Sequence, residues 1–278
     1  MKIKSQTLKK LLQDFIKSEN DFYSIFKKYF TVFICRIRRS ILTIGLCDVI
    51  QALMKIILNY NALQKFLNNF NDFWTWYYLK FKSSRLFRFN GKKYNYFYHK
   101  YSITWNNERT IEVPIIWKIV KKYENKNILE VGNVLSHFFD FQHDIVDKYE
   151  IADGVINQDI VDYKPLKKYD LIVAISTLEH VGWDETPCEP LKIFRAIENL
   201  KSLLTENGKI IITLPKGHSP VLDNLLSENK LKFSEQYFLK RVSRNNKWKQ
   251  CNWRKISKAV YGYPVRYSAN GIIIGIIE

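Results

Sequence analysis

The sequence predicts an α/β domain with a mostly parallel sheet over residues 111–278, preceded by a basic, largely helical region and an aromatic β-hairpin. Three observations carry this. Short apolar runs at 127–131, 171–175 and 209–214 read as buried strands. Helical stretches at 111–123 and 190–204, the second amphipathic, alternate with them, as a parallel sheet requires. Finally, Asn90-Gly91 sits between two alternating apolar/polar runs, and both residues tolerate the positive φ of a tight hairpin turn.

Residues 1–72 read as a helical region, with Leu11, Leu12, Phe15 and Ile16, then Phe22, Ile25 and Phe26, at helical spacing. No apolar run follows the first lysines, so no secretory signal is expected. The stretch 41–58 has the length of a membrane span. Asp48, Gln51 and Lys55 form a polar stripe along it, which favours a helix packed in protein, then one lying in a membrane interface, over a true span.

The segment 73–110 is aromatic and basic, from Trp74, Trp76, Tyr77 and Tyr78 to the hairpin around Asn90-Gly91. Such a mixture suits either a stacking platform for bases or sugars or the packing of the hairpin onto the domain; packing is the more economical reading. The next helix, 111–123, takes Pro114 in its first turn. Glu108, Arg109 and Glu112 precede or open it, as pocket residues or as a surface salt bridge.

The chain of 278 residues has a net charge of +17, unevenly spread. Residues 1–100 hold 19 Lys/Arg against 5 Asp/Glu, a net +14, and the rest carries only +3. The excess suits solubility or an anionic partner for residues 1–100, a membrane surface or nucleic acid. The four cysteines, Cys35, Cys47, Cys188 and Cys251, are far apart. They suggest neither a zinc site nor a disulfide framework and fit a reducing cytoplasm.

In the domain, the run Asn127-Ile128-Leu129-Glu130-Val131-Gly132-Asn133 is a strand emptying into a tight turn. A short second strand, 144–146, ends at Asp147, and a third lies within 154–160. The fourth, Leu171-Ile172-Val173-Ala174-Ile175, ends in Ser176-Thr177-Leu178-Glu179-His180-Val181. Asn207-Gly208 is expected to end the helix 190–204. A fifth strand, 209–214, then runs into the loop Pro215 to Pro220, and strands at 234–243 and 271–278 flank an insertion bearing Trp248 and Trp253. Ligands of open parallel sheets bind outside the carboxyl ends of the strands, which puts Glu130, Gly132 and Ser176 to His180 at one mouth.

At these residues the chain resembles the class I S-adenosylmethionine-dependent methyltransferases, over about residues 126–225. The resemblance implies a Rossmann-like sheet of seven strands with the last antiparallel, and S-adenosylmethionine as cofactor. It implies that Glu130, Gly132 and Asn133 hold the methionine part. Asp147, with Glu150 as its rival, takes the ribose hydroxyls. Asp159 and Ile160 meet the adenine, and Ser176, Thr177 and Glu179 lie beside the methyl group. Only the first of the family's three loop glycines is present. That argues against a dinucleotide, whose pyrophosphate needs close backbone approach; a phosphate-free cofactor does not.

Glu179-His180-Val181 resembles a form found in small-molecule and glycan methyltransferases. His180 is a candidate base for a substrate hydroxyl, or a structural group of its loop, and His218 is a second candidate for substrate contact. Methyl transfer demands mainly positioning, so no obligatory base or metal follows. The expected activity is transfer to an oxygen or nitrogen of a small-molecule or glycan-type acceptor. The alternatives are an RNA or DNA methyltransferase gripping its substrate through the basic region, and a non-catalytic binding module of the same fold.

Overall fold

The structure, a computed structural model, describes residues 60–262 and 268–278. The helices expected before residue 60, including the stretch 41–58, lie outside the described residues. No helix among the described residues is long and apolar enough to cross a membrane. The chain forms two compact units, Met1–Asn69 and Phe70–Glu278; the second holds the site and is described below.

Helix α1 spans Tyr60–Lys82. The hairpin follows as β1 (Leu86–Phe89) and β2 (Lys92–Asn95), paired Phe89 to Lys92 across Asn90-Gly91. Both turn residues take positive φ, 45° and 73°, as a two-residue turn requires. Helix α2 is Arg109–Val120. It starts two residues earlier than expected, so Pro114 lies beyond its first turn. Proline has no N–H for the carbonyl four residues back, that of Thr110. Phe97 supplies the missing donor, its N–H reaching Thr110 O at 2.9 Å.

The main sheet has eight strands in the order β5-β4-β3-β6-β7-β10-β8-β9. Their ranges are β3 Ile128–Val131, β4 Asp144–Val146, β5 Val155–Ile156, β6 Tyr169–Ile175, β7 Leu204–Pro215, β8 Glu235–Arg241, β9 Trp248–Cys251 and β10 Gly271–Ile277. Strands β3 to β7 pair in parallel, whereas β10 is antiparallel to both β7 and β8. The expected seven strands become eight because the tryptophan-bearing insertion contributes β9, antiparallel to β8, with Trp248 buried.

Helix α3 is Lys192–Ser202 and ends without Asn207-Gly208. That pair lies inside β7, where the ladder with β6 is irregular between Tyr169 and Leu171. Helix α4 (Pro220–Ser227) is capped by Ser219, and α5 is a single turn, Trp253–Ile256.

Alternation along the strands buries both sheet faces. Leu129, Val131, Ile172 and Ala174 face Ile193, Ala196, Ile197 and Leu200 of α3. Ile128, Leu171, Val173 and Ile175 face Ile111, Ile115 and Ile116 of α2, together with Phe87, Phe89, Tyr96 and Tyr98 of the hairpin segment. The hairpin aromatics are therefore core, as the packing reading expects.

Candidate active site

The sheet order reverses between β3 and β6, where two strands run out to opposite sides; such a switch point opens a crevice at the carboxyl ends. Gly132 follows β3 there with φ 83°, and a Cβ on it would lie 2.2 Å from Thr177 Oγ1. Only glycine lets the turn pack this closely on the end of β6. Ser176 also has positive φ, 42°. Its N–H donates to Thr213 O and Oγ1 (3.1 and 2.9 Å), and its hydroxyl donates to Glu112 Oε1 at 2.6 Å. Backbone strain held by neighbours in this way is typical of functional sites.

A cavity of about 230 Å³ opens at this point, lined by Gly132, Asn133, Asp147, Asp159, Ile160, Ser176, Thr177 and His180. With Arg109, nine candidate residues from the sequence are thus brought together. Lys148, Tyr149, Val181 and Glu185 complete much of its wall.

Asp147 turns its Oδ1 to the N–H groups of Tyr149 and Glu150, both at 2.8 Å. Its rival Glu150 accepts from Asn133 Nδ2 at 2.7 Å and does not line the cavity. Asp159 is held by Lys192 and Lys148 at 2.5 and 2.8 Å, and Glu185 shares both lysines. Burial opposes its ionisation, but the hydrogen bonds from Lys148 and Lys192 outweigh that and hold its carboxyl at about 2. The sequence reading omitted Lys192. A lysine four residues before Ala196, on the apolar stripe of α3, is the signal for it.

Glu130 does not line the cavity. It is fully buried behind the turn, on the α2 face of β3. Its Oε1 accepts from the N–H groups of Val134 and Leu135, at 3.0 and 2.8 Å, and His143 Nε2 lies 2.7 Å from its Oε2. Its place in the structure is to shape the loop that carries Asn133.

Glu179 is buried as well, behind the cavity wall. Glu108, Glu112 and Glu179 surround Arg109, which pairs with Glu112 at 2.7 Å. This is no surface salt bridge, for Glu112 is fully buried and also accepts from Thr213 Oγ1 at 2.7 Å. Burial, then repulsion from Glu112, raises Glu108 to about 7. Burial likewise raises Glu179 well above the carboxylate range.

At the open end of the cavity, His180 Nδ1 lies 2.5 Å from Asp184 Oδ2, and His218 Nε2 lies 3.5 Å from the same oxygen. The Tyr261 ring closes on His218 with centroids 4.9 Å apart. Burial, reinforced by His180, lowers the His218 imidazole below its usual value. The two histidines, 38 residues apart in sequence, share one corner because β6 and β7 are neighbours.

The sheet is mostly parallel and Rossmann-like, with its last strand, β10, reversed beside β7. No protein-family model and no curated protein matches the chain. Solved structures found similar include the N-methyltransferase NodS of Bradyrhizobium japonicum with S-adenosyl-L-homocysteine. It is 11% identical over 61% of this chain and 91% of that one, with a TM-score of 0.35. A second is the sugar N-methyltransferase KedS8 of a Streptoalloteichus species (10%; 60% and 87%; 0.32). A third is an S-adenosylmethionine-dependent methyltransferase of Clostridium acetobutylicum (14%; 59% and 88%; 0.30).

Proposed function

We propose that the protein is an S-adenosylmethionine-dependent methyltransferase acting on an oxygen or nitrogen of a small-molecule or glycan-type acceptor. One observation carries the reading: the ends of β3, β4 and β6, with the residues just after β5, present Gly132, Asp147, Thr177 and Asp159 to a single cavity. A diol-bearing nucleoside fits a carboxylate such as Asp147, whose charge strengthens hydrogen bonds from hydroxyl donors. The turn after Gly132 continues into a short 3-10 turn, Leu135–His137, and not an α-helix. It therefore lacks the helix N-terminus that a pyrophosphate uses, which favours a phosphate-free nucleoside cofactor. Ser176 and Thr177 sit where the sulfonium end would lie, with His180, Asp184 and His218 on the acceptor side. The chemistry is displacement at the methyl carbon, accelerated by holding acceptor atom, methyl and sulfur in line.

Calorimetric titration with S-adenosylhomocysteine tests this. Saturable binding at one site per chain, weakened at least tenfold by Asp147→Asn, is the expected result. A folded sample that does not bind would favour a non-catalytic module. A nucleic-acid acceptor is the second reading, favoured by a second cleft of about 730 Å³. Trp74, Tyr77 and Phe81 line it together with Lys82, Arg85, Lys247 and Lys249. Rings for stacking beside cations for phosphates suit a single strand. RNA binding that weakens steeply with salt would support this reading, and no binding at low salt would remove it.

A further inference from the structure

We propose that His180, Asp184 and His218 form a binding site for one divalent transition-metal ion at the acceptor side of the cavity. Their ligand atoms all lie within 4.8 Å of one another. Ligands about 2.1 Å from a common tetrahedral ion stand about 3.4 Å apart, so side-chain shifts of about 1–1.5 Å close the site.

The scaffold holds the three groups from two directions. After β6 the chain makes a turn, with Gly182 at φ 75°, in which the Asp184 N–H reaches His180 O at 3.1 Å. The turn brings His180 Nδ1 to 2.5 Å from Asp184 Oδ2. His218 comes from the loop after β7, pinned by Lys216 on Asp223 at 2.7 Å and by the Ser219 cap of α4. The imidazole rings stand edge to face with centroids 4.4 Å apart.

Two polar atoms at this corner are buried without a hydrogen-bond partner, His218 Nδ1 and Glu179 Oε2. Native interiors rarely leave such atoms unpaired, and a bound ion is one recognised reason. Glu179 Oε1 lies 3.7 Å from His180 Nε2, the ring nitrogen that does not face Asp184, and so lies outside the proposed ligand set.

Two imidazoles and one carboxylate suit Zn²⁺, Mn²⁺, Fe²⁺ or Co²⁺ and not the all-oxygen cations Mg²⁺ and Ca²⁺. Three protein ligands leave coordination positions open, as in catalytic sites. His180 lines the cavity, so the ion would lie at its edge. The ion's role in catalysis rests on the methyl-transfer reading above, and the metal site does not. In that role the ion binds an acceptor hydroxyl and lowers its pKa, and the proton passes to water. The oxygen's electron pair then forms the O–CH₃ bond while the methyl–sulfur bond breaks and its pair returns to sulfur, leaving S-adenosylhomocysteine.

The test uses tag-free, metal-stripped full-length protein. Co²⁺ is titrated with its visible absorption as readout and Zn²⁺ by calorimetry, and S-adenosylhomocysteine is titrated into the same samples. One ion per chain is expected, with affinity at least tenfold weaker in Asp184→Asn and in His218→Gln. Asp184 is half exposed, so its variant keeps the fold even if the second does not. Absence of saturable Co²⁺ and Zn²⁺ binding by folded protein, or unchanged affinity in the double variant, would overturn the site. Metal binding without S-adenosylhomocysteine binding would uphold the site and overturn its role in methyl transfer.

Discussion

Replacing Gly132 with alanine tests whether the turn and the end of β6 are packed as described. The left-handed φ of 83° costs an L-residue about 1–2 kcal/mol. The new Cβ would also meet Thr177 Oγ1, Cγ2 and Cβ at 2.2, 2.7 and 3.0 Å. Rotating the threonine relieves the first two contacts but not the third. Rotation also breaks the hydrogen bond from its hydroxyl to Ile175 O, 3.2 Å long, a loss of about 1 kcal/mol. The sum is roughly 3 kcal/mol. In a Thr177→Ala background the hydroxyl and methyl are gone, and the cost of Gly132→Ala should shrink to about 1–2 kcal/mol, a coupling of the size expected for residues in contact. Urea unfolding of the four proteins measures this. Equal costs in both backgrounds would refute the packing argument. S-adenosylhomocysteine affinity should fall with Gly132→Ala and recover in part in the double variant.

Three more outcomes are expected. Glu108 keeps a proton up to about pH 7 in the folded protein, against an ordinary 4.5, so its contribution to stability is complete below pH 4.5 and is lost as pH rises through 7. That loss amounts to about 3 kcal/mol; Glu108→Gln, which can still accept from Ala269 N–H, should flatten the stability profile, and parallel profiles would contradict the assignment. Glu130→Ala strips the acceptor from two backbone N–H groups and from His143, so the fold should lose upwards of about 3 kcal/mol; an unchanged urea midpoint would contradict this. A chain beginning at Ser102 lacks Tyr78, Phe87, Phe89, Tyr96 and Tyr98 from the core and should fail to fold, whereas a soluble product with sharp unfolding would show that packing to be dispensable.

The strands of the parallel half were legible because burial on both faces makes them predominantly apolar, and Asp144–Val146 was found to the residue. The hairpin was legible because its turn needs Asn-Gly chemistry. β9 was not, since an edge strand reading Trp-Lys-Gln-Cys carries no periodicity to distinguish it from a loop. Asn207-Gly208 misled because its local turn preference yields to the irregular ladder between β6 and β7. The cavity wall was readable where residues follow strand ends, as with Gly132, Asp147 and Thr177. The hydroxyls that Glu112 accepts from lie 64 and 101 residues away, so nothing local distinguishes its buried role from that of a surface charge paired with Arg109. Glu130 belongs with it: an acid beside a glycine reads as a ligand contact, and only the three-dimensional turn shows both oxygens engaged.

The placement of β10 bears on how the molecule assembles. Its sequence, Gly-Ile-Ile-Ile-Gly-Ile-Ile, has no charge and no proline, the kind of segment that pairs readily with copies of itself. In the finished sheet it lies between β7 and β8, saturated on both sides, while the outermost strands are the two-residue β5 and the lysine-bearing β9. Both neighbours of β10 precede it in the chain, so during synthesis the middle of the sheet can close only after its flanks exist. Until that closure the protein exposes its stickiest segment together with the open groove that receives it, and aggregation during refolding should fall steeply with dilution.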